Sequence, residues 1–293
     1  MSGAFGGDAV RKSKLIAALS RAITQKDRDH PLFRFGEGLD IFASDHGLDE
    51  AFVRLVVAIL PSQGATFEAA EAHLLTPLAA LAPGAPARRA VHGWVVRAWD
   101  GNADPLQGWV NEPAAITACE ALIALHRRLA AGEHVDLAVW PQMRAMLRKA
   151  RPADRIAAAA FETISAAAWD VDTSPGVVSD VAQSWFEAIM VRADAQVGWT
   201  QEDSRQLRDH VRDLNRRAEE LAPTLTDVKG DERARYDEAR RRLFAQQSHP
   251  LEERAKMRNQ AVSDALPVHQ AARHDALMLE IAAANLAGSS AVR

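Results

Sequence analysis

Along the first 200 residues, apolar positions recur with a helical period in short segments that Pro, Gly, Asn and Asp residues separate. In the first segment, residues 8–25, Val10, Leu15 and Ile16 occupy one side of the predicted helix and basic residues occupy other positions. Nearly every segment has such an apolar side, which a helix must bury against a neighbour. The pattern therefore predicts a stack of α-helices over residues 8–199.

Two groups of three predicted helices end in the same tripeptide, Ala-Trp-Asp. The predicted helices cover 49–60, 66–81 and 85–99 in the first group and 111–131, 136–150 and 153–169 in the second. A duplicated three-helix unit is the simplest interpretation, and coincidence is the alternative, since recognised repeats usually show three or more copies. We expect Trp99 and Trp169 to be buried and Asp100 and Asp170 to begin turns.

The remainder of the chain is more strongly charged than its beginning. It has 16 basic and 16 acidic side chains in the 93 residues after residue 200, against 19 and 23 in the first 200. All seven Trp residues fall between Trp94 and Trp199, so the bulky core belongs to the first region. The predicted organisation is a disordered start, a Trp-containing helical core, a charged C-terminal helical module and a frayed end, over residues 1–7, 8–199, 200–287 and 288–293.

A narrow apolar seam marks the first helix of the charged module. Thr200 and Asp203 resemble a capping box at its start. The seam has a 4-3-4-3 spacing, which is typical of a coiled coil or a helical hairpin. Its members are Leu207, Val211, Leu214, Ala218 and Leu221. Pro223, Pro250 and Pro267 then divide the rest into three separate predicted helices, which favours a bundle or hairpin over a long coiled coil.

We predict that the charged module binds a partner through four seam residues and a basic cluster. The predicted partner-binding residues are Leu207, Val211, Leu214, Leu221, Arg240, Arg241 and Arg242. The wider cluster also includes Arg233, Arg235, Arg254, Lys256 and Arg258. Interspersed acidic side chains lie at helical spacings, so ion pairs on a solvated face are the default interpretation and phosphate contact is the alternative.

The composition limits the classes of protein to which this chain can belong. The formal net charge of −4 at pH 7 provides no global field that would hold a polyanion, which argues against nucleic acid as the main partner. The single cysteine, Cys119, lies in an apolar run and suits a buried thiol in a reducing compartment. No run of about 18 uncharged apolar residues occurs and the start lacks a signal-like segment, so we expect a cytoplasmic protein without a membrane span.

Common catalytic and phosphate-binding signatures are missing from the sequence, including the P-loop, the complete dinucleotide fingerprint, the nucleophile elbow and the His-Glu-x-x-His pair. No two histidines stand at i and i+4, so no metal site is predicted. The pair Asp170 and Asp172, with Asp180 further along, could hold a hard cation, but we interpret Asp172 or Ser174 as a cap of the following helix. The sequence predicts no catalytic residue, cofactor or metal ligand.

Three hypotheses follow. The first is a non-enzymatic interaction or scaffold protein that binds another protein, or itself, through helical surfaces. The second is a helical enzyme in which His92 or Glu120 converges with Asp100 or Asp170 only in the fold. The third is nucleic-acid binding by the basic region between residues 233 and 258.

Overall fold

A computed structural model of the protein describes residues 3–33, 37–60, 67–101, 105–247 and 249–290. The structure is 78% helical, and the residues it describes include no strand. The prediction of an all-α, multi-helix fold is therefore confirmed. Within the same residues, no helix is long and apolar enough to cross a membrane.

Thirteen α-helical stretches of the described chain are labelled here in sequence order. They are α1 Ala9–Gln25, α2 Leu39–His46, α3 Glu50–Ala58, α4 Phe67–Ala70, α5 Thr76–Ala80, α6 Ala87–Asp100, α7 Pro113–Ala131, α8 Val139–Ala150, α9 Arg155–Ala166, α10 Val177–Gln196, α11 Gln201–Leu221, α12 Glu232–Gln246 and α13 Glu252–Ser290. One turn of π-helix, Glu71–Leu75, joins α4 to α5. Such turns of π-helix frequently occur at functional sites.

The chain forms two compact units. Unit 1 consists of Met1–Ile189 together with Leu266–Arg293, and unit 2 consists of Met190–Ala265. The predicted boundary at residues 199 and 200 differs from this division, chiefly because residues 266–287 belong with the first region rather than with the charged module.

Side-chain caps explain where several helices begin. The carboxylates of Asp8, Asp49 and Asp154 each accept hydrogen bonds from two backbone N–H groups at the start of α1, α3 and α9. At the start of α11, the Thr200 hydroxyl accepts from the Asp203 N–H and the Asp203 carboxylate accepts from the Thr200 N–H. The predicted capping box is therefore confirmed, and these bonds satisfy N–H groups that have no partner inside the helix.

The two Ala-Trp-Asp tripeptides have different surroundings. Trp99 is fully buried, and Asp100 is the last residue of α6. In contrast, α9 ends at Ala166, and Trp169 lies beyond it with 46% of its surface exposed. The predicted burial of Trp169 is wrong, because its ring stacks on the Arg144 guanidinium, 3.8 Å from Cζ to the ring centroid, at the surface. The duplication of the three-helix unit stays a prediction.

Pro267 lies inside α13, which is continuous from Glu252 to Ser290, so the predicted break at this proline is wrong. Because proline has no N–H, the carbonyl of Ser263 loses its helical partner. Ser263 and Pro267 are both exposed. On that side of the helix water can satisfy the carbonyl. The buried side chains on either side of the proline, Leu266 and His269, hold α13 in place.

The C-terminal half of α13 is a core helix of unit 1. Its buried face carries His269, Arg273, Leu277 and Ile281, and helices from distant parts of the sequence cover it. Trp94 on α6 donates to the backbone of α13, and Asn285 bonds to the backbone at Ala80 and Ala82.

The described residues near both ends of the chain are more ordered than the sequence suggests. Of the start expected to be disordered, residues 1 and 2 lie outside the described residues, whereas Phe5 is fully buried and Ala4 exchanges two backbone hydrogen bonds with Gly84 and Ala85. Because Phe5 contributes a large apolar side chain to the core, its burial anchors this segment. At the other end, α13 continues to Ser290, within the range expected to fray, and residues 291–293 lie outside the described residues.

In unit 2, α11 and α12 pack against each other. Their shared core consists of Leu214, Ala218, Ala222, Leu225, Ala239 and Leu243. The predicted seam of α11 is therefore closed within unit 2 by α12.

Candidate functional site

The predicted partner-binding seam is only partly accessible. Leu214 is fully buried in the α11 and α12 core, whereas Leu207, Val211 and Leu221 are half-buried. Leu221 packs against the same core. A partner could reach Leu214 only by separating the two helices, so this residue stabilises the hairpin.

The basic cluster forms ion pairs on the surface of unit 2. Arg242 pairs with Asp227 at 2.7 Å and with Glu238 at 2.8 Å, and Arg241 pairs with Glu238 at 2.5 Å. Arg240 instead lies over the ring of Phe244, 5.2 Å from Cζ to the centroid. The remaining pairs join Arg233 to Asp237, Lys256 to Glu253, Arg254 to Asp203 and Arg258 to Asp194. Most of these pairs are those of a solvated, salt-bridged face, whereas the pair of Arg258 and Asp194 is largely buried.

The carboxylates of the enzyme hypothesis are held by structural partners. Glu120 accepts from the indole N–H of Trp99 at 2.7 Å, and Arg127 pairs with Asp100 at 2.6 Å and lies 3.6 Å from Glu120. Asp170 accepts from the backbone N–H of Asp172 in a turn. Glu120 and Asp100 therefore meet at one arginine, but no described contact joins either to His92 or to Asp170.

Asp172 pairs with Arg88 instead of capping α10, whose first residue is Val177. Burial raises the pKa of Asp172, and the Arg88 charge opposes that shift.

His92 and Cys119 lie in the core of unit 1. His92 Nδ1 is 3.0 Å from Nδ1 of His126, whose Nε2 lies 3.1 Å from the Ala167 carbonyl oxygen. Cys119 is buried, as predicted, and burial raises the pKa of its thiol to about 12, so it stays protonated at neutral pH. Among the described residues, no three His, Cys, Asp or Glu side chains are grouped as metal ligands.

A cavity of about 400 Å³ in unit 1 is lined in part by a buried arginine, Arg273. Its walls come from α2, α3, α10 and α13, with Leu60 beyond the end of α3. The lining residues are Leu39, Arg54, Val57, Ala58, Leu60, Ser179, Asp180, Ala182, Gln183, Phe186 and Arg273. We call this space the Arg273 cavity.

Arg273 is a buried cation that has no carboxylate partner among the residues that the structure describes. Only 3% of its surface is exposed, and its Nε is buried without a hydrogen-bond acceptor. The only hydrogen bond from its side chain to a described residue is a long one, 3.4 Å from Nη1 to the Ala182 carbonyl oxygen. Burial lowers the pKa of its guanidinium to about 10, so the group is still charged at neutral pH.

The aromatic neighbour of Arg273 does not replace a carboxylate. The guanidinium Cζ lies 5.7 Å from the ring centroid of Trp185, a contact worth about 0.5–2 kcal/mol. A buried charge that lacks an ionic partner costs several kcal/mol, roughly 3–5 in measured cases. In addition, the indole N–H of Trp185 is itself buried without an acceptor. Two neighbouring donors therefore lack an acceptor in the same part of the core.

A histidine pair lies next to Arg273. His73, in the π-helix, packs edge-on against His274 with ring centroids 5.0 Å apart. Burial lowers the pKa of His73, and the positive charges of His274 and Arg273 lower it further. This neighbourhood therefore contains several groups that disfavour additional positive charge. The exposed carboxylate of Asp275 lies 3.8 Å from Nδ1 of His274, but it forms no ion pair with Arg273 among the described contacts.

Another wall of the cavity is formed by α10. Asp180 is exposed and forms no ion pair with a described residue, whereas Arg54 on α3 pairs with Glu50 at 2.7 Å. Phe186 contributes an aromatic surface, and the Gln183 amide N–H donates to Glu187 at 3.0 Å. The cavity thus combines apolar walls with a few polar groups, which is the usual composition of a small-molecule site.

Sequence reasoning missed Arg273, which was placed in a separate charged module. One signal was available in the chain. Leu266, Leu277 and Ile281 stand at helical spacing from Arg273, so an arginine occupies the apolar stripe of this helix.

Comparison of the chain with protein-family models, curated proteins and solved structures found no match.

Proposed function

We propose that the protein binds a small organic anion in the Arg273 cavity. One observation carries the proposal: a guanidinium that is 97% buried lines a cavity and has no carboxylate partner among the described residues. A ligand carboxylate would supply the missing charge and accept from two N–H groups of the planar guanidinium at once. The apolar residues of the walls would cover the rest of the ligand.

The free-energy cost of the buried, unpaired charge favours a ligand over a purely structural role for Arg273. A structural buried arginine normally pairs with a carboxylate, because an unpaired buried charge destabilises the folded state. Anion binding would convert this cost into binding free energy, since the cavity is already formed and the cation already desolvated.

A calorimetric titration tests the proposal. Purified protein is titrated with acetate, 4-methylpentanoate, 3-phenylpropanoate, leucine, phenylalanine and inorganic phosphate. We expect at least one organic anion to bind, Arg273→Met to abolish that binding and Arg273→Lys to weaken it at least tenfold. Arg128→Met is the matched control, because Arg128 is exposed and, among the described residues, pairs only with Glu133.

Two results would contradict anion binding. In one, none of these compounds binds to the wild-type protein. In the other, a compound binds equally well to Arg273→Met and to the wild type. Binding of phosphate alone would show that the cavity recognises charge without the apolar part of the ligand.

Protein interaction is a second candidate, and three exposed apolar residues of α13 favour it. Val268, Leu279 and Leu286 are 55%, 53% and 73% exposed. Their spacings of 11 and 7 residues place them on one side of the helix. We propose a second copy of the chain as the occupant, because a two-fold axis brings identical patches together.

The oligomeric state decides this second candidate. The mass in solution is measured by light scattering for the wild type and for Leu279→Glu with Leu286→Glu. We expect a dimer for the wild type and a monomer for the double variant. A wild-type protein that is monomeric at high concentration would contradict self-association.

A further inference from the structure

The Arg273 cavity carries two unpaired charges of opposite sign. Arg273 is its buried cation, and Asp180 on α10 is an exposed carboxylate that has no ion-pair partner among the described residues. The third charged lining residue, Arg54, is balanced by Glu50 at 2.7 Å. The cavity therefore presents one free positive group in its buried part and one free negative group at its exposed edge.

The apolar lining of the cavity comes from three helices, α2, α3 and α10, and from Leu60 beyond the end of α3. Leu39, Val57 and Leu60 form one part of it, and Ala182 and Phe186 on α10 form another. A cavity of about 400 Å³ is at the small end of ligand sites, which span roughly 300–1000 Å³. It suits one short apolar group and excludes a large ring system.

The arrangement of α10 places its polar and apolar contributions on one face. Asp180, Gln183 and Phe186 recur every three residues, a spacing that keeps side chains on one side of a helix. One N–H of the Gln183 amide is engaged with Glu187, which leaves the other N–H and the carbonyl oxygen for a ligand. The Asp180 carboxylate is therefore the group of this face that suits a ligand cation, and Gln183 offers one donor and one acceptor beside it.

We propose that the ligand is a small zwitterion, of the class of free apolar α-amino acids. This inference rests on the anion-binding function proposed above. The ligand carboxylate pairs with Arg273, its ammonium group pairs with Asp180, and its side chain packs against Phe186 and Val57.

Charge balance favours a zwitterion over a simple carboxylate. A monoanion would neutralise Arg273 but would place its negative charge in the same cavity as Asp180, without a cation to offset that repulsion. A simple ammonium ion would pair with Asp180 and leave Arg273 buried without a partner. Only a ligand with both charges gives each charged group of the cavity a partner, which makes the cavity select against the two singly charged analogues.

Matched ligands separate this inference from simple anion binding. Leucine is compared with 4-methylpentanoate, which lacks the ammonium group, and with 3-methylbutylamine, which lacks the carboxylate. Phenylalanine is compared in the same way with 3-phenylpropanoate and 2-phenylethylamine. Calorimetry at pH 7 measures all six with the wild type, Asp180→Asn and Arg273→Met.

We expect at least one amino acid to bind tenfold or more tightly than its carboxylate analogue, and neither amine to bind measurably. Asp180→Asn should weaken amino-acid binding about tenfold and leave carboxylate binding unchanged or stronger. Asp45→Asn, on the exposed side of α2 and outside the cavity lining, is the matched control and should change nothing. Circular dichroism confirms that each variant is folded.

The outcomes distinguish the two proposals. If a carboxylate binds as tightly as its amino acid and Asp180→Asn has no effect, the zwitterion inference is wrong and anion binding stands. If neither amino acid binds, the zwitterion inference is again wrong, whatever the carboxylates do. If no compound depends on Arg273, both proposals are wrong.

Discussion

The indole N–H of Trp94 donates to the backbone carbonyl of Arg273 at 3.1 Å, and this buried hydrogen bond joins α6 to α13. Trp94 is fully buried, and its ring lies 5.8 Å from that of Trp185. Trp185 in turn is the aromatic neighbour of the Arg273 guanidinium. The two indoles therefore hold both the backbone and the side chain of Arg273.

Replacing Trp94 should loosen this arrangement. We expect Trp94→Phe to lower the free energy of unfolding by about 1–3 kcal/mol, because the hydrogen bond is lost and the smaller ring leaves space in the core. Any Arg273-dependent ligand should bind more weakly, although Trp94 does not line the cavity. Urea unfolding and calorimetry measure the two effects. Trp169→Phe, at an exposed position, should change neither quantity.

Arg273 should reduce the stability of the ligand-free protein. Because an apolar side chain of similar length carries no buried charge, we expect Arg273→Met to raise the free energy of unfolding by about 1–4 kcal/mol. Urea unfolding without added ligand measures the change, and Arg128→Met provides the surface control. A loss of stability of similar size in Arg273→Met would show that the arginine stabilises the fold.

The buried histidine pair should make the protein sensitive to acid. Burial lowers the pKa of His126 to about 4, and it holds the pKa of His92 well below its ordinary value of 6.5. Because the folded state keeps these rings neutral, their contribution to stability is complete above pH 6.5 and is lost as the pH falls towards 4. For His126 alone, the loss at pH 5 is about 2 kcal/mol.

Urea unfolding at pH 7, 6 and 5 tests this pH dependence. The double variant His92→Gln with His126→Gln cannot titrate at these positions, so its stability should fall less steeply over the same range, whatever its stability at pH 7. Equal slopes for the variant and the wild type would assign the acid sensitivity to other groups.

Gly93 on α6 leaves room for the Glu280 side chain of α13. A Cβ added at this position would overlap the carboxylate of Glu280, which pairs with Arg97. We expect Gly93→Ala to lower the free energy of unfolding by about 1–3 kcal/mol, although alanine favours helix. Thermal and urea unfolding measure the change. At Gly108 an added Cβ meets no atom within 4 Å, so Gly108→Ala should be neutral by comparison.

The α11 and α12 hairpin should depend on Leu214 more than on the neighbouring seam residue Val211. Leu214 is fully buried, so Leu214→Asp places an unpaired carboxylate in the hairpin core and should cost about 3–5 kcal/mol. Val211 is half-buried, and Val211→Asp should cost clearly less. Circular dichroism and urea unfolding compare the two. Equal effects would mean that both positions face the same core, or that the seam binds a second chain.

Local features were predictable from the sequence. The helical period of the apolar residues predicts the all-α fold, and the Thr200 and Asp203 pair predicts the start of α11, because both signals depend on residues within a few positions of each other. Burial of Cys119 followed from the apolar run around it. Trp169 shows the limit of this reasoning, because a helix that ends a few residues early places the indole at the surface.

The site depended on contacts that no local pattern encodes. Arg273 meets Ala182 and Trp94 across separations of 91 and 179 residues. In sequence, Arg273 is one more arginine in a charged region, and its burial without a carboxylate arises only when α6 and α10 pack around α13. In sequence, Asp180 is likewise one of three nearby carboxylates, and no local pattern shows that it lines the same cavity as Arg273.

Periodicity and capping residues were therefore sufficient to determine that this chain forms helices and roughly where many of them begin, since each helix is set by the chemistry of adjacent turns. They were insufficient to decide which helices share a core. Pro267 illustrates the difference: local preference indicates a break, but packing on both sides of the proline keeps α13 continuous. Tertiary packing alone selected the partners of α13, and with them the buried, unpaired charge of Arg273.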